Sequence, residues 1–308
     1  MKSTAVVFAY HDVGVRCLSV LLDDGVDVKL VVTHEDDPKE TVFFGSVREL
    51  AQSRGLEVAT PTDANDPAFV ERLRSIAPDF LFSFYYRKML SPAVLASAKR
   101  GAFNMHGSLL PKYRGRAPVN WAVLKGERET GATLHEMVAK PDAGRIVGQQ
   151  GVPIGEDDLA VDVFARVTAA AEATLRRELP KLLDGSATLS PQDLSQGSYY
   201  RGRKPEDGRI DWTQTAKAIH DLVRAVAPPY PGAFTRVAGQ QLRVLRTRLA
   251  PGKTLGPRSA LVATAEGLYA AGGDGEALEI LELEVDGNPI APRGFCDNIG
   301  FGPHLPDP

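Results

Sequence analysis

Five short apolar runs alternate with helix-patterned stretches through the first 108 residues, and no other feature constrains the fold as strongly. The runs are residues 5–10 (AVVFAY), 28–34 (VKLVVTH), 56–61 (LEVATP), 80–86 (FLFSFYY) and 102–108 (AFNMHGS). Between them, residues 13–25 and 46–55 carry helical spacing and stop at Gly25 and Gly55. The stretch 66–79 is a third helix with a Pro–Asp exit, and 91–101 a fourth, with Ser91 as cap and Pro92 in its first turn. Strand–helix alternation of this kind specifies an α/β fold: a Rossmann-like, mostly parallel sheet with helices on both faces. The first strand-to-helix turn has no G-x-G-x-x-G, so a nicotinamide dinucleotide is not indicated.

Beyond residue 117 a helix opens at Pro118, and 130–138 and 144–154 read as two strands joined by the turn-like AKPDAG. A long Ala/Leu-rich helix spans 158–185. Residues 186–209 are rich in Ser, Gly, Pro and charge and read as a linker. The remainder is mostly β-patterned, at 233–250, 259–273 and 276–287, with one helical stretch at 215–227. The expected organisation is a catalytic domain over 1–188, a linker over 189–208 and a smaller C-terminal β-barrel, OB-like, over 209–308. Glu276, Glu279, Glu282 and Glu284 form an acidic strand face, read as solvated.

A net charge of −3 provides no global basic field for nucleic acid or an anionic membrane. Cys17 and Cys296, the only cysteines, suggest neither a disulfide framework nor a thiolate metal site. The N-terminus lacks the long apolar region of a signal peptide, and no apolar run approaches the ~20 residues of a membrane span. The expectation is a cytoplasmic protein.

The end of the fifth strand carries the chemistry. Side chains two apart on a strand share a face, so Asn104, His106 and Ser108 point one way and Phe103 and Met105 the other. His106 suits general acid/base work, because the ordinary imidazole titrates near neutrality. Asn104 is a neutral donor able to receive an oxyanion. Asp142, in the tight loop before Ala143 and Gly144, is the candidate carboxylate to orient the imidazole and raise its pKa. Such a trio suits acyl transfer to an amine, directly between two substrates, since no Ser or Cys nucleophile motif is present. A plainer reading stands beside it: a hydrogen-bonded structural histidine and a turn aspartate.

Lys112, Arg114 and Arg116 precede the helix at Pro118 and fit either an anion site for phosphate or carboxylate, or a solvated basic loop. Tyr10 and Tyr85–Arg87 follow strands at their carboxyl ends, where ligands of open α/β sheets bind. His11, His34, His135, His220 and His304 show no metal-ligand spacing, and no metal is expected.

FNMHGSLLPKYRGRAPVNW followed by TGATLHEMVAKPDAGRIVGQQ resembles the N10-formyltetrahydrofolate-dependent formyltransferases, which include enzymes acting on glycinamide ribonucleotide, methionyl-tRNA and nucleotide sugars. FAYHDVG, FFGSVRELA, FSFYYRKML and RAVAPPYPGAF are most similar to the formyltransferase portion of the bifunctional polymyxin-resistance enzyme, which acts on UDP-4-amino-4-deoxy-L-arabinose for lipid A modification. That likeness runs to about residue 250. The enzyme's second, decarboxylase half has no counterpart here, so a free-standing formyltransferase is expected. The resemblance implies His106 as acid/base, Asn104 as formyl-orienting donor and Asp142 as the group acting on His106. It places the folate co-substrate along Lys88, Met89 and Leu90, near Arg116, and against Val138, Ala139, Lys140, Pro141 and Asp142. Tyr10, Lys112, Arg114 and Asn120 are the candidates for the sugar nucleotide.

A dTDP- or GDP-linked amino sugar is an alternative acceptor, and methionyl-tRNA is another. Gripping tRNA needs several phosphate-neutralising cations. Here residues 34–46 are short and acidic, and 209–308 hold roughly as many acids as bases. A folate- or nucleotide-binding sensor would have no need of Asn104, His106 and Asp142 together.

Overall fold

The computed structural model of the chain describes residues 2–36, 38, 42–237, 239–256, 258–300 and 302–307. Strand β1 (Thr4–Ala9) is buried from Ala5 onward, as an apolar run requires. It leads through α1 (His11–Asp23), β2 (Asp27–Val32), α2 (Val47–Ser53), β3 (Val58–Ala59) and α3 (Pro67–Ile76) to β4 (Phe80–Phe84), then α4 (Pro92–Leu95) and β5 (Gly101–His106). There follow β6 (Arg114–Gly115), α5 (Pro118–Leu124), β7 (Glu129–Glu136), β8 (Ile146–Pro153) and α6 (Ala160–Asp184).

The main sheet has the order β3-β2-β1-β4-β5-β7-β8. Strands β1 to β5 run parallel, while β7 pairs antiparallel with β5. The chain leaves β1 towards β2 on one side and returns to β4 on the other, so the strand order reverses at β1. The core between the sheet and α3 and α4 is built from Phe8, Val6, Leu30, Leu73, Leu81 and Val94.

Two helices end earlier than their apolar spacing predicts. α3 stops at Ile76 because Ala77 turns left-handed (φ 46°) and Pro78 follows. α4 is a single turn after its Ser91 cap. Beyond it the amides of Lys99 and Arg100 bond the carbonyls of Pro78 and Asp79 rather than extending the helix.

Two compact units divide the chain, and neither is continuous in sequence. The first comprises residues 1–118, 130–152 and 165–201; the second comprises 119–129, 153–164 and 202–308. The Ser/Gly/Pro-rich stretch before 201 therefore lies within the first unit. Ser190 bridges Ile146, and β9 (Tyr199–Tyr200) pairs in parallel with β6.

In the second unit, α7 (Ala216–Val226), capped by Thr215, packs its apolar face on a curled antiparallel sheet. The strands are β10 (Ala233–Val237), β11 (Gln240–Leu249), β12 (Ala260–Ala263), β13 (Leu268–Ala271), β14 (Ala277–Val285), β15 (Asn288–Ile290) and, after α8 (Pro292–Ile299), β16 (Gly302–His304). Their order is β10-β11-β14-β13-β12-β16, with β15 on β14. The Asp307 amide, just past β16, bonds the Arg236 carbonyl on β10, so the two edges approach one another and the sheet forms a half-barrel.

The acidic strand face is paired across this sheet. Glu279 meets Arg248 at 2.7 Å, Glu284 meets Arg243 at 2.7 Å, and Glu282 meets Arg246 at 3.8 Å. Among the described residues, no helix is long and apolar enough to cross a membrane.

Candidate active site

The carboxyl ends of β1, β4 and β5 share one edge of the sheet, and the strand order reverses at β1, the place where open α/β sheets bind ligands. Asn104 and His106 lie two apart on β5 and share a face. Register brings a third group to that face: Asn104 on β5 is directly opposite His135 on β7. The β7–β8 loop leaves at the amino edge of β5 and folds back, carrying Asp142 to 3.6 Å from both His106 Nδ1 and His135 Nε2.

Asp142 is held from every side. Its backbone is left-handed (φ 50°). The Gly115 amide donates to its Oδ2 at 2.9 Å, and the Gln192 side-chain amide donates to the carbonyls of Asp142 and Gly144 at 3.1 and 2.6 Å. Gly144 is required for this loop, because a Cβ there would strike the Glu136 carbonyl. Burial pushes the Asp142 carboxyl up, but the nearby His106 and His135 rings and the Gly115 amide outweigh it and hold the group well below the usual carboxylate range.

The two nitrogens of His106 have different neighbours. Nε2 lies 2.8 Å from the Tyr113 carbonyl oxygen. A carbonyl only accepts, so Nε2 carries a proton. Nδ1 faces the Asp142 carboxylate at 3.6 Å. Ser108 does not join the trio; its hydroxyl donates to the carbonyls of Lys112 and Tyr113 and closes the loop that presents Tyr113 to His106.

A cavity of about 450 Å³ opens over these groups. Asn104, His106, His135 and Asp142 line it, with Lys88, Met89, Leu90, Arg116, Val138 and Pro141. Ala139 and Lys140 belong to the same loop but are not among the lining residues. Three apolar side chains on its wall are conspicuously exposed: Met89 at 61 %, Tyr199 at 59 % and Val138 at 41 %. Such a rim suits a flat, apolar-faced ligand. The Arg116 guanidinium donates to the Arg87 carbonyl at 3.2 Å, which places a cation at the mouth.

The remaining candidates lie elsewhere. Tyr10 lines an adjoining hollow of about 360 Å³ with His34, Asp36 and Phe44, and its hydroxyl donates to Asp36 at 2.5 Å. His34 accepts the Arg87 amide at Nε2; burial, with Lys88 and Arg87 nearby, pulls its pKa down to about 4. Lys112 is exposed. Arg114 is buried, with its amide bonded to the Ser198 carbonyl. Asn120 is in the second unit and donates to the Ala225 carbonyl at 2.9 Å.

Sequence reasoning missed His135, Gln192 and Tyr199. Metal-ligand spacing was the wrong question for His135, whose neighbours come from strand pairing. Gln192 and Tyr199 sit in a stretch whose composition suggests a linker. Among the described residues no group of three or more His, Cys, Asp or Glu side chains could hold a metal ion.

The fold and the site define a group-transfer enzyme, and comparison with known proteins gives its family. Residues 7–179 match the formyl transferase model, and residues 203–298 match the model of the formyl transferase C-terminal domain. The chain belongs to the formyl transferase family and is a formyl-transferring enzyme.

Solved structures share its fold. An N-formyltransferase from Helicobacter canadensis, solved with folinic acid and dTDP-3-aminofucose, superposes with a TM-score of 0.69 at 20% identity, covering 91% of this chain and 99% of its own. WlaRD, a sugar 3N-formyl transferase solved with dTDP and 5-N-formyl-THF, gives 0.70 at 19% identity, covering 91% and 97%. A sugar N-formyltransferase from Shewanella sp. FDAARGOS_354 gives 0.64 at 17% identity, covering 79% and 96%.

Proposed function

We propose that this enzyme transfers the formyl group of N10-formyltetrahydrofolate to the amine of a nucleotide-linked amino sugar, with UDP-4-amino-4-deoxy-L-arabinose the first acceptor to test. The observation that carries this reading is the convergence of Asn104, His106 and Asp142 in one apolar-rimmed cavity. Met89, Val138 and Tyr199 offer surface for a planar pterin, and Arg116 and Lys88 offer charge for its carboxylate-bearing tail.

The neutral sugar amine adds to the formyl carbon, and the carbonyl electron pair moves onto oxygen. Asn104 and the proton on His106 Nδ1 stabilise that oxygen. His106 then gives its proton to the departing nitrogen and takes one from the newly bonded amine. Asp142 balances the imidazolium in the steps in which His106 is protonated. The products are a formamide and the deformylated folate, with no acyl-enzyme.

A second reading exchanges the nucleotide for dTDP. It is favoured by the dTDP and dTDP-sugar in two structures that share the fold. The test offers UDP-4-amino-4-deoxy-L-arabinose, a dTDP-4-amino sugar and charged initiator tRNA in parallel and reads product mass and tetrahydrofolate release. A product one formyl group heavier with the UDP-sugar alone supports the first reading. Turnover only with the dTDP-sugar selects the second, and turnover only with tRNA overturns both.

A further inference from the structure

Gln192 lies in the stretch whose composition suggests a linker, yet the backbone on either side of it is pinned. Two residues before it, Ser190 exchanges both backbone hydrogen bonds with Ile146, at 2.8 Å each, where β8 begins. After it, Asp193 caps a short 3-10 turn (Leu194–Gln196), and the Ser198 amide bonds the Pro111 carbonyl at 3.3 Å. The side chain is thereby delivered to one place, the backbone of the β7–β8 loop. There Nε2 donates to the carbonyls of Asp142 and Gly144 at 3.1 and 2.6 Å.

Two features separate this contact from an ordinary loop hydrogen bond. Both hydrogens of one nitrogen go to the two carbonyls that flank Ala143, so the turn that carries the left-handed Asp142 is held at both ends. The other end of the carboxamide is left over: Oε1 is buried and has no hydrogen-bond partner among the described residues. An unpaired buried acceptor costs about as much as one or two hydrogen bonds contribute. The glutamine therefore adds little to the stability of the fold. What it adds is a location, with Asp142 Oδ1 3.6 Å from His106 Nδ1 and Oδ2 on the Gly115 amide. Gln192 is not among the residues lining the cavity, so its effect on a substrate passes through the loop.

We propose that Gln192 is a positioning residue for formyl transfer: its carboxamide clamps the Asp142–Gly144 turn and so sets the Asp142 carboxylate against His106. The inference rests on the reading of Asp142 as a member of the catalytic trio.

The test uses the intact chain and two substitutions. Gln192→Leu removes the donor at similar volume, whereas Gln192→Glu keeps the shape and sets oxygen against both carbonyls. Each is expected to lower kcat at least ~5-fold with the urea midpoint unchanged, a part of the loss that follows removal of Asp142 itself. Near-normal kcat in either variant overturns the proposal. In an Asp142→Asn background, Gln192→Leu is expected to lower kcat by less than about twofold, because residues that act through one group are not additive. A merely structural glutamine would impose its full loss again in that background, and that result overturns the proposal.

Amide hydrogen exchange followed by NMR provides a readout that needs no substrate. The Gly115 amide is held by Asp142, whereas the Arg116 amide bonds the Tyr200 carbonyl at 3.0 Å across the β6–β9 pair. In Gln192→Leu the Gly115 amide is expected to exchange at least ~10-fold faster, with Arg116 within about twofold of the wild type. Unchanged protection of Gly115 overturns the proposal. So does faster exchange of both amides, which would mean that Gln192 supports the strand pair rather than the Asp142 turn. Absence of formyl transfer to any amino sugar would instead strike the functional reading, while the exchange rates still decide the clamp.

Discussion

Three segments meet at the Asp142 carboxylate: β5 through His106, β7 through His135 and β6 through the Gly115 amide. Its charge is thus the native form, and replacing it with an isosteric amide isolates the charge from the shape. Asparagine tolerates left-handed backbone better than most residues, and its Oδ1 can still accept from Gly115. Asp142→Asn is therefore expected to keep the denaturation midpoint and formyl-donor affinity but to lose turnover at least ~10-fold, while His106→Ala and Asn104→Ala each lose roughly a hundredfold. Steady-state kinetics beside a donor titration checks this; near-normal kcat in Asp142→Asn would remove Asp142 from the mechanism. At this scale the sequence was half legible. Asn104-x-His106 and a loop aspartate can be read from alternation and turn chemistry. The place of His135 cannot, because it depends on an antiparallel register between residues 31 apart in sequence.

The central parallel strands β1 and β4 were legible because they are buried almost throughout and read as unbroken apolar runs. β6 and β9, two residues each, have no pattern at all, yet they form the bracket that holds the site. Tyr113 stacks on Tyr200 with ring centroids 5.3 Å apart, and Ser198 accepts the Tyr113 amide at 2.8 Å. Gly115 is the tight point of this bracket. Its φ is 99°, and a Cβ would strike the Tyr200 carbonyl. Gly115→Ala must therefore part β6 from β9 or strain the backbone, at a cost of about 2 kcal/mol or more, and it displaces the amide that holds Asp142. The expected result is a lower urea midpoint together with a fall in kcat. Gly256→Ala, where a Cβ meets nothing within 4 Å, is the control expected to change neither. Equal behaviour of the two variants would show that the β6–β9 contact does not support the site. The Arg–Glu ladder of β11 and β14 was hidden for the same reason as the bracket: its partners are 31 to 41 residues apart and meet only through pairing.

At the scale of the whole molecule, no single cut in the sequence separates the two compact units, because the second takes residues 119–129 and 153–164 from within the span of the first. These segments are tied into the second unit by named bonds. Arg224 donates to the carbonyls of Gly155 and Asp158 at 3.2 and 3.3 Å. His220 Nε2 is 3.0 Å from the Glu156 carbonyl and donates to it, which leaves Nδ1 to accept from Thr247 at 2.9 Å. Asn120 reaches the Ala225 carbonyl. Val119, Val123, Ile154 and Val163 on the same segments are buried. A chain ending at Arg201 would keep these apolar side chains and lose the helix and sheet of their own unit. The freed polar groups can be rehydrated, but exposed valine and isoleucine cannot, and burial of each such side chain is worth about 1.5–3 kcal/mol. Residues 1–201 expressed alone are therefore expected to aggregate, or to unfold without the cooperative transition of the intact chain, when followed by circular dichroism in urea. A soluble 1–201 fragment with a cooperative transition at the intact chain's midpoint would mean that the first unit needs nothing from the second, and that the interleaving of the two in sequence has no energetic consequence.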